Sequence, residues 1–227
     1  MSATRRNLIV NADDFGASDG VNRGIVEAHG GGVVTSTSLM VTGRAAAGAV
    51  ALAREHPRLA IGLHWDLDGE DADPSIDLES PAAVRAELGR QLEAFRELMG
   101  RAPTHVDSHH HVHRRPEIVP IARALVAPLG VPLREESEVR FIGGFYGQWE
   151  WQVTDLHHVS PEFLLWILRN EVADGWTEIS CHPGYVTDDF TSVYLEEREA
   201  ELATLTDPLI RAEIDSLGLR LASYAEL

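Results

Sequence analysis

The stretch Leu8-Ile9-Val10-Asn11-Ala12-Asp13-Asp14-Phe15-Gly16 begins with a continuous apolar run and closes on two adjacent carboxylates. An unbroken apolar run, rather than an alternating one, marks a strand buried on both faces, as in a parallel sheet covered by helices. Ser18-Asp19-Gly20 then offers a helix start, and 21–29 reads as a helix stopped by Gly30, Gly31 and Gly32. The same order recurs along the chain. Strands are predicted at 33–41, 59–67, 104–113, 131–134 and 177–181, with a last one at 219–223. Helices are predicted at 44–56, 81–99, 116–129, 161–173, 194–204 and 207–217. The helix at 81–99 has Val84, Leu88, Leu92, Phe95 and Leu98 at helical spacing. Strands alternating with helices predict a parallel sheet. With about seven parallel strands and no glycine-rich nucleotide-binding motif, the expected fold class is α/β, an irregular TIM-like (β/α) barrel. It would span 1–227 as a single domain.

Composition narrows the function classes. The 227 residues carry 36 acidic and 19 basic side chains, for a net charge of −17. That disfavours nucleic acid and anionic membranes, which reward clustered positive charge. The only cysteine, Cys181, excludes an intrachain disulfide and reads as a small buried hydrophobe. The N-terminus has neither the length nor the apolar content of a signal peptide or membrane span, so a cytoplasmic enzyme is expected.

The chemistry-bearing residues collect at predicted strand ends, where barrel active sites are built. Asp13 and Asp14 follow the first strand. Two adjacent carboxylates repel, so a cation must compensate them. His64 and Asp66 lie near the end of the third strand. The segment Thr104-His105-Val106-Asp107-Ser108-His109-His110-His111-Val112-His113 holds five of the chain's 11 histidines. If it is extended, His109, His111 and His113 share one face and His110 takes the other. Arg134 and His182 end two further strands. One carboxylate and two imidazoles, Asp14, His64 and His109, would hold a divalent metal and leave a position open, as catalytic metals require. Such a metal polarises a carbonyl and acidifies water. Residues 139–158, rich in glycine and aromatics, read as a long functional loop.

Asn11–Gly16, Gly62-Leu63-His64, the histidine segment, Phe145-Tyr146-Gly147 and Cys181-His182-Pro183 together resemble the YdjC family of carbohydrate deacetylases, which includes chitooligosaccharide deacetylases and hopanoid-biosynthesis relatives. The resemblance implies a (β/α) barrel, a divalent metal (magnesium or zinc), and removal of the acetyl group from an acetylated amino sugar. It implies Asp14, His64 and His109 as metal ligands, Asp13 as general base and His182 as general acid. Arg134 would pair with Asp13 or hold substrate, and Phe145 and Tyr146 would bind substrate. Asp107 would support the site from behind, with a carboxylate such as Asp107 keeping His182 protonated. Trp149 and Trp151 could stack on sugar faces or pack their own loop. The chain departs from the family after His64, with Trp65-Asp66-Leu67-Asp68 and a short acidic loop at 68–77, which bears on substrate identity. The chain could also form a homodimer, and two other readings compete: an amidohydrolase or phosphoesterase acting on another small substrate, and a non-catalytic carbohydrate-binding protein. A phosphoesterase would want more cations at the strand ends than Arg134, and the complete set of acids and histidines argues against a dead site.

Overall fold

The computed structural model describes residues 5–69, 76–188 and 190–227. Its strands are β1 (Arg6–Phe15), β2 (Ser36–Leu39), β3 (Ala60–Trp65), β4 (Val106–Ser108), β5 (Arg140–Ile142), β6 (Gly175–Cys181) and β7 (Arg220–Leu221). Its helices are α1 (Asp19–Gly30), α2 (Ala46–Glu55), α3 (Pro81–Met99), α4 (Val119–Val126), α5 (Pro161–Asn170), α6 (Glu196–Leu205) and α7 (Pro208–Ser216). The strands are all parallel and run in the order β4-β3-β2-β1-β6-β5. β7 pairs with Asn7 and Leu8 of β1. The sheet curls into a half-barrel with the helices outside it. β1 is its centre: every residue of β1 after Arg6 is buried.

Local chemistry sets the helix boundaries. The Ser18 hydroxyl accepts from the Val21 amide at 3.1 Å and starts α1. Ser160 does the same for α5 through Phe163, at 3.2 Å. Gly100 ends α3 in the left-handed conformation, at φ 69°. One continuous apolar core joins Leu8, Val10 and Ala12 of β1 to Ile25, Leu88, Phe95 and Ile167 on the surrounding helices. Trp65 is fully buried and donates its indole N–H to the Leu88 carbonyl at 3.1 Å. Among the described residues no helix is long and apolar enough to cross a membrane.

Three expectations are corrected. The histidine segment is extended only over Val106–Ser108, and His109–Arg114 then turns back as a 3-10 helix. Its His110 and His111 have positive φ, 46° and 52°. A strand would have carried alternate histidines away from the site, and the turn gathers His109, His110 and His111 around one cavity instead. Residues 131–134 form no strand but one parallel bridge, Leu133 to Val106. That bridge still sets Arg134, whose amide donates to the Val106 carbonyl at 3.0 Å. The seventh strand is β5, within the segment read as irregular. Of the acidic loop at 68–77, residues 70–75 lie outside the described residues.

Gly24 shows how tightly α1 seats against the loop after β6. A Cβ there would lie 2.5 Å from the Gly184 Cα, two residues after His182. Gly24→Ala is therefore expected to destabilise the fold by about 1–3 kcal/mol, as overpacking does. Gly48, exposed within α2, meets nothing closer than an Asp19 oxygen at 3.5 Å. There Ala should stabilise by about 0.5–1 kcal/mol. Urea denaturation midpoints of the two variants should move in opposite directions, and a shared direction would contradict the seating of α1.

Candidate active site

In a regular strand Asp13 and Asp14 would point to opposite faces. Here the register of β1 against β2 shifts between Ala12 and Phe15, and Asp14 sits at φ 70°. The bulge turns both carboxylates into one cavity of about 840 Å³. Asp tolerates the left-handed region better than most residues, and such strain collects at functional sites. His64 from β3, His109 after β4, Tyr146 after β5, His182 after β6 and Arg198 from α6 line the same cavity.

The cations that the carboxylate pair demanded are two arginines. Arg134 grips Asp13 with both terminal nitrogens, Nη1 to Oδ2 at 2.6 Å and Nη2 to Oδ1 at 2.7 Å. It also meets Asp107 at 2.8 Å and Glu178 at 2.7 Å. Arg198 Nη2 reaches Asp14 Oδ2 at 2.7 Å. Burial raises the affinity of both aspartates for a proton, but the arginines and neighbouring histidines outweigh it and hold both well below the ordinary carboxylate range. Both aspartates are therefore ionised in the folded chain. Arg134 is 1% exposed and stands behind the cavity, so its place is to hold Asp13 and not substrate. Phe145 is likewise corrected: it is fully buried in the core. Tyr146 lines the cavity, stacked on Tyr194 at 4.5 Å and 5.3 Å from the His182 ring. Burial first, then the charges of Asp14 and Glu201, push its hydroxyl up to about 12, so it stays a neutral donor.

Asp14, His64 and His109 offer ligand atoms that all lie within 4.8 Å of one another. His64 Nδ1 meets Asp107 Oδ1 at 2.7 Å, which fixes the ring. Its Nε2 then faces Asp14 Oδ1, 3.2 Å away. His109 Nδ1 lies 3.1 Å from the same oxygen. A proton or a metal cation is required between these atoms, and the tie of Nδ1 to Asp107 leaves Nε2 as the atom that a divalent cation would take. Burial alone would lower the His64 proton affinity, yet the charges of Asp107 and Asp13 and the hydrogen bonds to Asp107 and Asp14 raise it well above the ordinary value. The buried carboxylates around His64 attract positive charge beyond that of Arg134 and Arg198, which a divalent cation would supply. The donor set thus fits a divalent metal. Asp13, His64 and Asp107 also converge, but both of those carboxylates are already engaged by Arg134.

His182 faces two carboxylates: its Nε2 is 3.9 Å from Asp13 Oδ2, and its Nδ1 is 3.8 Å from Glu201 Oε1. The Glu201 side chain also accepts from the His182 backbone N–H and, at 2.5 Å, from the Tyr194 hydroxyl. The carboxylates beside His182 are therefore Glu201 and Asp13. Asp107 instead serves His64 and Arg134. Sequence reasoning missed Glu201, Arg198 and Tyr194. Their spacing, four and then three residues, is one inward face of α6 and the turn before it, a pattern that a solvated helix face shares. Cys181 is buried, with its Sγ 3.3 Å from the Asn11 carbonyl.

The YdjC-like protein family matches residues 7–216 of the chain. A carbohydrate deacetylase from Geobacillus stearothermophilus is 37% identical over 251 aligned positions, covering 97% of this chain and 98% of the relative. A chitooligosaccharide deacetylase from Serratia marcescens is 37% identical over 256 positions, with the same coverage of 97% and 98%. Both alignments exceed the 227 residues of this chain, so the relatives carry insertions that it lacks. The crystal structure of an Enterococcus faecalis V583 protein, described in connection with cellobiose-phosphate cleavage, matches with a TM-score of 0.85 at 29% identity, covering 98% of this chain and 99% of that one.

His105 and His113 belong to the packing beneath the site. His105 stacks on Tyr224 with ring centroids 4.0 Å apart. His113 Nδ1 meets the Ser108 hydroxyl at 2.6 Å. Burial, only partly offset by the charge of Asp107, lowers each to about 4. Between that value and the ordinary 6.5 the unfolded chain binds more protons than the folded one. Their contribution to stability is thus complete above pH 6.5 and lost as pH falls toward 4, by on the order of 1.4 kcal/mol per pH unit for each group. His105→Phe, which keeps a ring on Tyr224, should flatten the fall in urea-derived stability over this window. A slope equal to that of the wild type would show that His105 is not held neutral.

Proposed function

The chain belongs to the YdjC-like family, and from that premise we propose that it is a metal-dependent hydrolase that removes the acetyl group from an N-acetylated amino sugar or an oligosaccharide containing one. The observation that carries this reading is one cavity floor that joins a carboxylate held ionised by Arg134, an imidazole held by Glu201, and the Asp14–His64–His109 cluster. The names of the two curated relatives support the substrate class. Of magnesium and zinc, zinc suits two imidazoles and one carboxylate better, because magnesium prefers oxygen ligands, and a cytoplasmic setting fits the sequence.

A divalent cation held by Asp14, His64 and His109 would supply Lewis acidity, polarising the acetyl carbonyl and making water easier to deprotonate. Asp13 is the base in this scheme. Its Oδ1 already accepts from Arg134, Asn11 at 2.8 Å and Ser38 at 3.3 Å. Its Oδ2 takes one arginine hydrogen bond and faces His182, so Oδ2 keeps the lone pair that would receive the proton. Arg134 weakens Asp13 as a base but fixes its direction and keeps it ionised, which is orientation exchanged for basicity. His182 is the acid. Its Nδ1 faces Glu201, so Nε2 is the atom left to deliver a proton to the departing amine. Tyr146, neutral and next to His182, can donate to the oxygen that gains charge as the carbonyl is attacked.

Asp13→Asn should keep metal affinity while kcat falls by about 10²–10⁴-fold. Isothermal titration with zinc alongside acetate release from N-acetylglucosamine oligomers separates the two, and parallel loss of both would make Asp13 a ligand.

His182→Ala should retain metal and abolish amide hydrolysis. It should keep more activity on an activated aryl acetate ester, whose leaving group needs no proton. Amide and ester rates that drop by the same factor would leave His182 with a substrate-binding role only.

A further inference from the structure

Trp149 and Trp151 hold none of the reacting groups, yet both line the cavity and are 59% and 56% exposed. Exposed indoles normally sit on mobile segments or cover something. This loop is anchored. The Gly147 amide donates to the Tyr194 hydroxyl at 2.8 Å, Gln148 Nε2 donates to the buried Glu197 at 2.6 Å, and Thr154 bonds the same carboxylate oxygen. Trp149 is fixed further. Its ring stacks on His158 at 3.7 Å with planes 3° apart, and His158 packs edge-on against Phe163 at 5.3 Å. Its Nε1 donates to the Gly144 carbonyl at 3.1 Å. One indole face is thus covered, and the exposure falls on the other face and rim. Trp151 stands opposite the histidine turn, 5.9 Å from the His110 ring.

We propose that Trp149 and Trp151 form a stacking platform for a sugar ring beyond the one that is deacetylated, so that the protein selects oligosaccharides over the monosaccharide. The inference rests on the deacetylase reading and adds the length of the substrate to it. A flat, pre-oriented apolar face flanked by hydrogen-bonding groups suits a pyranose, which has apolar C–H faces and a polar rim. His110, beside Trp151 in the cavity lining, supplies such a group. The cavity, about 840 Å³, lies at the large end of small-molecule sites. Anionic lipid and nucleic acid are poor alternatives for a chain of net charge −17.

The test compares N-acetylglucosamine with triacetylchitotriose in the metal-loaded full chain. In Trp149→Ala the trimer-to-monomer ratio of kcat/KM should fall about tenfold, through KM, and Trp149→Phe should recover most of it. Both variants are assayed well below their melting temperatures, because Trp149→Ala also removes the stack on His158 and the hydrogen bond to Gly144. An unchanged ratio overturns the proposal, as does an unchanged ratio accompanied by loss of binding to neutral phosphatidylcholine vesicles, which would make the strip a lipid contact. Should the wild type release no acetate from any oligomer, the deacetylase reading fails, and the platform is judged by quenching of indole fluorescence with triacetylchitotriose. Quenching lost in Trp149→Ala then upholds it, and equal quenching overturns it.

Discussion

One buried guanidinium organises the interior. Arg134 reaches three carboxylates from three parts of the chain: Asp13 on β1, Asp107 on β4 and Glu178 on β6. Removing these charges from water costs several kcal/mol per ion, and only near-complete pairing offsets it. Two of the partners serve further groups. Asp13 faces His182 across the cavity, and Asp107 fixes the His64 ring. Glu178 passes the arrangement down to Tyr224 near the C-terminus, whose hydroxyl donates to it at 2.6 Å. The orientation of the proposed base and that of a proposed ligand thus depend on the same side chain, and neither can shift without disturbing the other.

The backbone is irregular where these side chains must converge. A period-two strand cannot place Asp13 and Asp14 on one face, and the bulge with Asp14 in the left-handed region does so. A continued strand through the histidines would scatter them, and the turn at His110 and His111 brings them round the cavity. Both departures sit at the C-terminal ends of strands whose earlier residues are buried and regular. A rigid lower sheet can hold a few strained residues at its rim, at about 1–3 kcal/mol each.

The second half of the chain closes one side of the cavity. α6 and the turn before it send Arg198 to Asp14, Glu201 to His182 and Glu197 to the tryptophan loop. Each is buried, and each ties a different part of the cavity to one helix. α6 therefore couples the reacting groups to the surface that meets whatever lies farther out in the cavity.

Much of the architecture was legible in the amino-acid order, because burial on both faces and helix capping are local properties. The continuous apolar run before Asn11, Ser18 and Ser160 ahead of their helices, and Gly100 after α3 all carried their meaning in a few residues. The gathering of acids and histidines at strand ends was legible for the same reason, since a parallel sheet sends all its strand ends to one side. Tertiary structure alone decided which partners those residues have. Arg134 could be read as reaching substrate or Asp13, and only the closure of the sheet, which seals it 1% exposed behind Asp13, chose between them. Asp107 and Glu201 are both carboxylates of suitable chemistry for His182. Distance through folded space, 3.8 Å for Glu201, assigned that place to a residue on α6. Pairing across 19 to 184 positions of chain leaves no periodic trace, because it depends on how elements pack and not on what each element is.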